Sequence, residues 1–292
     1  MSLQMRAVAA YVRLTYKERH ATTAGARRLL AAAKGESAPP ARLRSRHQVR
    51  CRQVAGFDCW TVAPTGRAAE RVVVYVHGGA YVSEIVVQHW GLISRLADAG
   101  VRVEVPLYGL APQYTYREAY QLLEAVYRDL LVDVDPSAVT LAGDSAGGGL
   151  ILGFAQTLAA AGLPQARRLV LIAPWLDITM SNPAIPAVEA RDPMLGWVGA
   201  VEIGRAWAGG DDPGDPRLSP INGSLTGLPP LDVYAGTRDL LLPDMVRLRE
   251  RAAAEDVTMR LTVCDGAVHV YPLTPTPEGR AAAAAIVREI AG

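Results

Sequence analysis

The sequence predicts an α/β fold, with a mainly parallel sheet of about eight strands, helices on both faces and an antiparallel N-terminal edge. Three observations predict it. From Arg71 onward, short β-branched runs alternate with longer segments of helical spacing. Ahead of Arg71, two strand-like runs stand close enough to form a hairpin. Half of the 292 residues are hydrophobic, enough for one large core with insertions.

Each element follows from its local pattern. Residues 1–34 read as helical, with Val8, Tyr11, Val12, Leu14 and Tyr16 apolar, then Ala26 to Ala33, ended by Gly35. Gly35 to Ala41, with Pro39-Pro40, reads as a linker. His47–Val54 and Phe57–Ala63 are the hairpin strands, with Gly56 at the turn. Arg71–Val76 is a buried strand, Gln88–Ala99 a helix closed by Gly100, and Val101–Val105 a strand. Tyr116–Leu131 carries apolar residues at helical spacing. Strand Val139–Ala142, helix Gly148–Ala161 and strand Leu169–Ala173 come next. Asp177–Pro216 is richer in Pro, Gly and Trp, with weak helical patches at 187–190 and 199–206, and reads as an insertion over the sheet edge. Strand Leu231–Ala235, helix Pro243–Ala254, strand Thr258–Val263 and helix Glu278–Ile290 finish the chain.

Composition excludes several classes of function. Thirty basic and 29 acidic side chains leave a net charge of +1, which gives no field for nucleic acid or an anionic membrane surface. No stretch is long and apolar enough to span a bilayer, and Leu3 to His20 interleaves arginines with apolar residues unlike a secretory leader. Three cysteines (Cys51, Cys59 and Cys264) lack metal-ligand spacing and suggest a reducing, cytoplasmic setting. Cys51 and Cys59 fall on two arms of one hairpin, which leaves a cross-strand disulfide open.

The chemistry centres on Val139-Thr-Leu-Ala-Gly-Asp-Ser-Ala-Gly-Gly-Gly149, a strand, a tight glycine-lined turn and a helix, with Ser145 at the apex. A serine hydroxyl attacks well only when a base takes its proton and donors hold the resulting oxyanion. The strand ending in His77-Gly78-Gly79-Ala80 offers unobstructed backbone N–H groups, so Gly78, Gly79 and Ala146 are the candidate oxyanion donors. His77 reads as an anchor for that loop, and His89, opening a helix beside Trp90, as structural. Of the five histidines, His269 follows the last strand, where active groups collect in a parallel sheet, and is the candidate base. His20 and His47 lie in the N-terminal region, far in sequence from any strand end. Asp239, in the loop after strand 231–235, is the candidate acid that orients the imidazole. Asp244 is the alternative, although it suits the start of the next helix, and Asp144 reads as a structural hydrogen-bonding group.

At this point the chain resembles the hormone-sensitive-lipase-like branch of the α/β-hydrolases, over about residues 45–290. The resemblance rests on His77-Gly-Gly-Ala80, Tyr108-Gly-Leu-Ala-Pro112, Gly143-Asp-Ser-Ala-Gly-Gly148, Pro174-Trp-Leu-Asp177, Asp192-Pro-Met-Leu195, Leu218-Ser-Pro-Ile221, Gly236-Thr-Arg-Asp239 and Val268-His269. The order Ser145, Asp239, His269 is that of these hydrolases. The resemblance implies carboxylic-ester hydrolysis with no metal or cofactor, and a homodimer joined through the last strand. It also implies a helical cap built from residues 1–45 and the insertion 177–216, around a core of residues 46–176 and 217–292. Three features depart from the pattern. The usual Tyr-Arg-Leu-Ala-Pro-Glu has become Tyr108-Gly-Leu-Ala-Pro-Gln113, the third glycine of the oxyanion motif is Ala80, and the N-terminal segment is arginine-rich.

The expected function is therefore a serine carboxylesterase acting on small-to-medium esters with short acyl chains through an acyl-enzyme. An amidase or formamidase with the same triad is the alternative, and a non-catalytic small-molecule receptor on the same scaffold the remote one. Tyr81, Tyr108, Trp175, Trp197 and Trp207 are candidate pocket walls.

Overall fold

The computed structural model describes residues 1–66 and 68–292. Eight strands form one sheet: β1 (Gln48–Val54), β2 (Phe57–Ala63), β3 (Arg71–Val76), β4 (Val101–Pro106), β5 (Val139–Asp144), β6 (Arg168–Ile172), β7 (Leu231–Arg238) and β8 (Met259–Val268). Their spatial order is β1-β2-β4-β3-β5-β6-β7-β8. The β1–β2 and β2–β4 pairs are antiparallel and every later pair is parallel, the mixed sheet expected from the hairpin at one end. The hairpin turns on Ala55 and Gly56, both at positive φ, in keeping with a two-residue turn whose twist suits the strands. Its register sets Cys51 opposite Trp60 and Cys59 opposite Arg52. The two thiols thus sit on opposite faces of the ribbon, and all three cysteines are free.

Strand alternation divides the core into two. In β3, Val72, Val74 and Val76 enter one cluster, while Val73 and Tyr75 enter the other. The first cluster takes in α6 (Tyr116–Leu130), α7 (Ser145–Thr157) and α10 (Leu242–Ala254). The second takes in α5 (Val87–Asp98) and α11 (Pro277–Ala291), with Met5 and Ala9 of α1 (Leu3–Thr15) and Leu43 of α4 (Ala41–Arg46). Helices therefore cover both faces, and β3 and β5 have almost no exposed side chain because each is walled in twice.

Three details differ from the expectation. The N-terminal helical stretch is broken into α1, α2 (Lys17–Ala21) and α3 (Thr23–Ala31). The presumed linker runs into a short helix, α4, whose single buried anchor, Leu43, gives no periodicity to read. Helix α7 begins at Ser145 itself, ahead of the Gly148 expected from apolar spacing. The insertion forms α8 (Ile185–Glu189) and α9 (Trp197–Ala208), and α9 packs on α2 and α3. It lies across the C-terminal rim of the strands, where Ala200 and Ile203 share a cavity with Ser145. Among the described residues, no helix is long and apolar enough to cross a membrane.

Candidate active site

The C-terminal ends of β5, β7 and β8 supply the three side chains. Ser145 sits at φ 50°, in the left-handed region, between β5 and α7. Glycine is required beside it, because a Cβ on Gly147 would lie 2.1 Å from the Val76 carbonyl oxygen. The elbow thus presses directly on β3 and holds its apex residue in a strained backbone conformation. β7 runs to Arg238 and delivers Asp239; β8 runs to Val268 and delivers His269.

The three groups meet in one hydrogen-bonded chain. His269 Nε2 lies 2.9 Å from Ser145 Oγ, and His269 Nδ1 lies 2.9 Å from Asp239 Oδ2. The second Asp239 oxygen accepts the Leu241 N–H at 3.0 Å, which fixes the carboxylate plane. All three side chains are buried, so their mutual interactions are weakly screened. Burial works to lower the His269 pKa, but the charge and hydrogen bond of Asp239, helped by Asp192 and Asp144, outweigh it and raise it above 6.5. Asp244, the alternative acid, instead accepts a hydrogen bond from Asn182 Nδ2 at 2.8 Å at the start of α10.

Asp144 organises the loop opposite. Its Oδ1 accepts the Tyr75 hydroxyl at 2.6 Å and the Gly78 N–H at 3.0 Å, and its Oδ2 meets His89 Nε2 at 3.2 Å. Burial alone would raise its pKa; these three partners more than offset that and hold it below the usual carboxylate range. The arrangement corrects the expected oxyanion donors. The Gly78 N–H is already engaged by Asp144, so it does not face a substrate. Gly78 is still needed, because a Cβ there would meet Asp144 Oδ2 at 2.3 Å. Gly79 and Ala80 line the cavity beside Ser145 in its place, and Ala146 stands in the first turn of α7. Ala80 stands beside Gly79 in the left-handed region, at φ 53°. His77 anchors the loop: its Nδ1–H donates to the Gly78 carbonyl at 2.6 Å, and burial pushes its pKa down to about 4.

The aromatic candidates separate by position. Trp175 lines the small cavity at Ser145. Tyr81 does not; it is buried and stacked on Trp207, with ring centroids 4.2 Å apart. Tyr108 stacks on His77 and donates its hydroxyl hydrogen bond to the His77 carbonyl. Trp207 is fully buried, and Trp197 faces outward with 43% of its surface exposed. The expectation that Tyr81, Tyr108, Trp197 and Trp207 wall the pocket is thus corrected: three of them pack the loop 77–81 against α9 and one faces solvent. The replaced Arg of the Tyr108 segment also finds an explanation; the replaced Glu, at Gln113, finds none. The Tyr114 ring lies where a Gly109 side chain would begin, 2.3 Å from an added Cβ, and meets Phe57 edge-on at 5.1 Å. An aromatic contact occupies that ground.

Two groups here were given no role in the sequence, where Asp192 stood only as part of a motif and His20 was set aside for its N-terminal position. Asp192 accepts the Met194, Leu195 and Leu240 N–H groups at 2.6, 2.8 and 2.7 Å, and so ties the insertion to the loop that carries Asp239. Burial and the neighbouring Asp239 charge raise its pKa. His20, on α2, borders the same cavities as Ser145, and burial together with His269 and Arg19 lowers its pKa to about 4. Its ring is therefore neutral at pH 7. Neither residue follows a predicted strand, so only the packing of α2 and the insertion onto the rim reveals them. Among the described residues, no cluster of His, Cys, Asp or Glu is arranged to hold a metal ion.

The alpha/beta hydrolase fold family matches residues 73–273. The chain is 34% identical over 218 residues to an acetyl-hydrolase from Streptomyces hygroscopicus, covering 73% of this chain and 72% of the relative. It is 32% identical over 203 residues to an esterase from Acinetobacter venetianus, covering 68% and 67%. A crystal structure of an esterase from the bacterial hormone-sensitive lipase family superposes with a TM-score of 0.83 at 30% identity, over 100% of this chain and 99% of the other.

Proposed function

Because this chain belongs to the α/β-hydrolase family and is a carboxylic ester hydrolase, we propose that it cleaves esters by a serine mechanism through an acyl-enzyme. The observation that supports this most is the unbroken chain Asp239–His269–Ser145, with both links at 2.9 Å. Ser145 Oγ attacks the ester carbonyl while His269 Nε2 takes its proton. The Gly79, Ala80 and Ala146 N–H groups receive the oxyanion. The C–O bond to the alcohol then breaks, and His269 returns the proton to the departing oxygen. Water then attacks the acyl carbon as His269 takes its proton, and His269 passes that proton to Ser145 Oγ as the bond to the acyl group breaks and the acid leaves. Asp239 holds the imidazole tautomer and stabilises the imidazolium without taking a proton.

In this reading residues 1–45 and 177–216 act together as a cap, and short acyl chains are preferred, in keeping with the acetyl-hydrolase among the relatives. A homodimer joined along β8 is part of the proposal. That strand ends the sheet, and its Val263 is 42% exposed. Sedimentation of the wild type beside Val263→Lys tests it: a dimer weakened by the charge is expected, and a monomer in both samples removes it.

The mechanism is tested with Ser145→Ala on p-nitrophenyl acetate. Turnover should fall at least a thousandfold, on the order of what loss of a triad member costs. Wild-type turnover in that variant would exclude the mechanism. Paired assays on an ester and its amide analogue measure how far the site extends to amides.

A further inference from the structure

Ser145 stands where two cavities of very different size meet. One is a chamber of about 20 Å³ walled by Trp175, Ala200, Ile203, Leu240 and Leu241. That is the scale of a single bound water or methyl group. The other is a space of about 370 Å³, lined by Val8, Tyr11 and Val12 of α1, by Leu273 after β8, and by a stretch running from after β3 into α5 that adds Glu84 and Gln88. That volume lies in the range of small-molecule sites. Four residues border both: Ser145, Ala80, Leu195 and His20. Ser145 and Ala80 carry the reacting groups, so His20 and Leu195 form the partition.

The position of His269 assigns the two spaces. It borders the large cavity and not the chamber. The departing alcohol must lie within hydrogen-bond reach of His269 Nε2, since that nitrogen returns its proton. The alcohol half of the ester therefore lies in the large cavity, and the acyl chain points the other way, into the chamber.

Close packing holds His20 in place. A Cβ on Gly199 would lie 2.0 Å from the His20 carbonyl oxygen, and a Cβ on Gly196 2.4 Å from Ala21 Cα. Two glycines of the insertion thus let the end of α2 press directly onto it. Lys17, one turn earlier, donates to the carbonyls of Glu189, Asp192 and Leu195, the last of these in the partition itself.

Resting on the esterase reading, we infer that His20 is a specificity-determining residue that closes the acyl chamber at about acetyl size, so that the preferred substrates are acetyl esters of bulky apolar alcohols.

The test compares kcat/KM for p-nitrophenyl acetate, butyrate and hexanoate, and for 1-naphthyl and cyclohexyl acetate, in wild type, His20→Ala and His20→Leu. Wild type should lose at least tenfold between p-nitrophenyl acetate and hexanoate while still cleaving both bulky acetates. His20→Ala should raise hexanoate relative to acetate at least tenfold, because the partition is opened. His20→Leu, which keeps the bulk, should keep the acyl limit. A wild type that prefers hexanoate overturns the assignment, and so does a profile unchanged in His20→Ala. The wild-type comparison stands alone if His20→Ala does not fold. Labelling of Ser145 by a small fluorophosphonate separates the two levels. Labelling with the wrong chain-length profile overturns only this inference, whereas no labelling and no turnover on any ester overturns the esterase reading and this inference together.

Discussion

At the scale of single residues, the environment of His269 fixes a pH dependence. The base must be neutral to accept a proton, and its pKa is raised above 6.5, chiefly by Asp239 acting against burial. The acid limb of kcat/KM should therefore have its midpoint above 6.5, and a profile with a midpoint at 6 or below would contradict the geometry. Asp239→Asn should lower kcat by about 10⁴-fold and move that midpoint down. Asp244 carries a different prediction. Burial raises its pKa from 3.8 to about 6, and its Oδ2 has no partner among the described residues. The folded state thus binds a proton that the unfolded state has lost between those values, so stability falls as pH rises through that window and stays reduced above it. Asp244→Asn should raise stability at pH 8 by roughly 1–3 kcal/mol, with a smaller gain at pH 5. Chemical denaturation at the two pH values reads the difference, and turnover near wild type in that variant would further separate Asp244 from the acid at 239. The three positions proposed as the triad could be picked out in the sequence because each lies shortly after a predicted strand. The engagement of the Gly78 N–H could not, because it depends on a carboxylate, Asp144, that reaches across from the neighbouring strand.

At the scale of elements, the joint between α2 and the insertion is the sensitive one. Gly199→Ala places a methyl group against the His20 carbonyl and should push α2 off α9. The expected outcome is a lower Tm and an acyl-length profile broadened in the manner of His20→Ala, with Ser145 still labelled by fluorophosphonate. An unchanged Tm and profile would show that this joint yields freely. Lys17→Met should also lower stability, by about 1–3 kcal/mol, since it leaves carbonyls of the insertion without their donor. The alternation of β-branched runs with helical spacing made the strands and long helices readable to within a few residues. It could not show α4, where Pro39-Pro40 masked six helical residues with one buried anchor. Nor could it show the start of α7, because Ser145 and the glycines after it are buried through the elbow itself rather than through a periodic apolar face.

At the scale of the whole molecule, the sheet order places β5 near the middle and brings β7 and β8 to one side of it, so the catalytic groups proposed here come from separate crossovers of the chain. A net charge of +1 supplies no long-range field to steer a charged substrate. The link between Ser145 and His269 spans 124 positions and closes only when the intervening parallel strands are aligned. Ester turnover is thus a reporter of global assembly as well as of chemistry. In a urea titration it should disappear at or before the loss of tertiary signal, and after dilution it should return no sooner than the tertiary fold does. Helix content regained early in such an experiment would leave the nucleophile idle, so recovered activity would mark molecules whose sheet has closed from one side to the other.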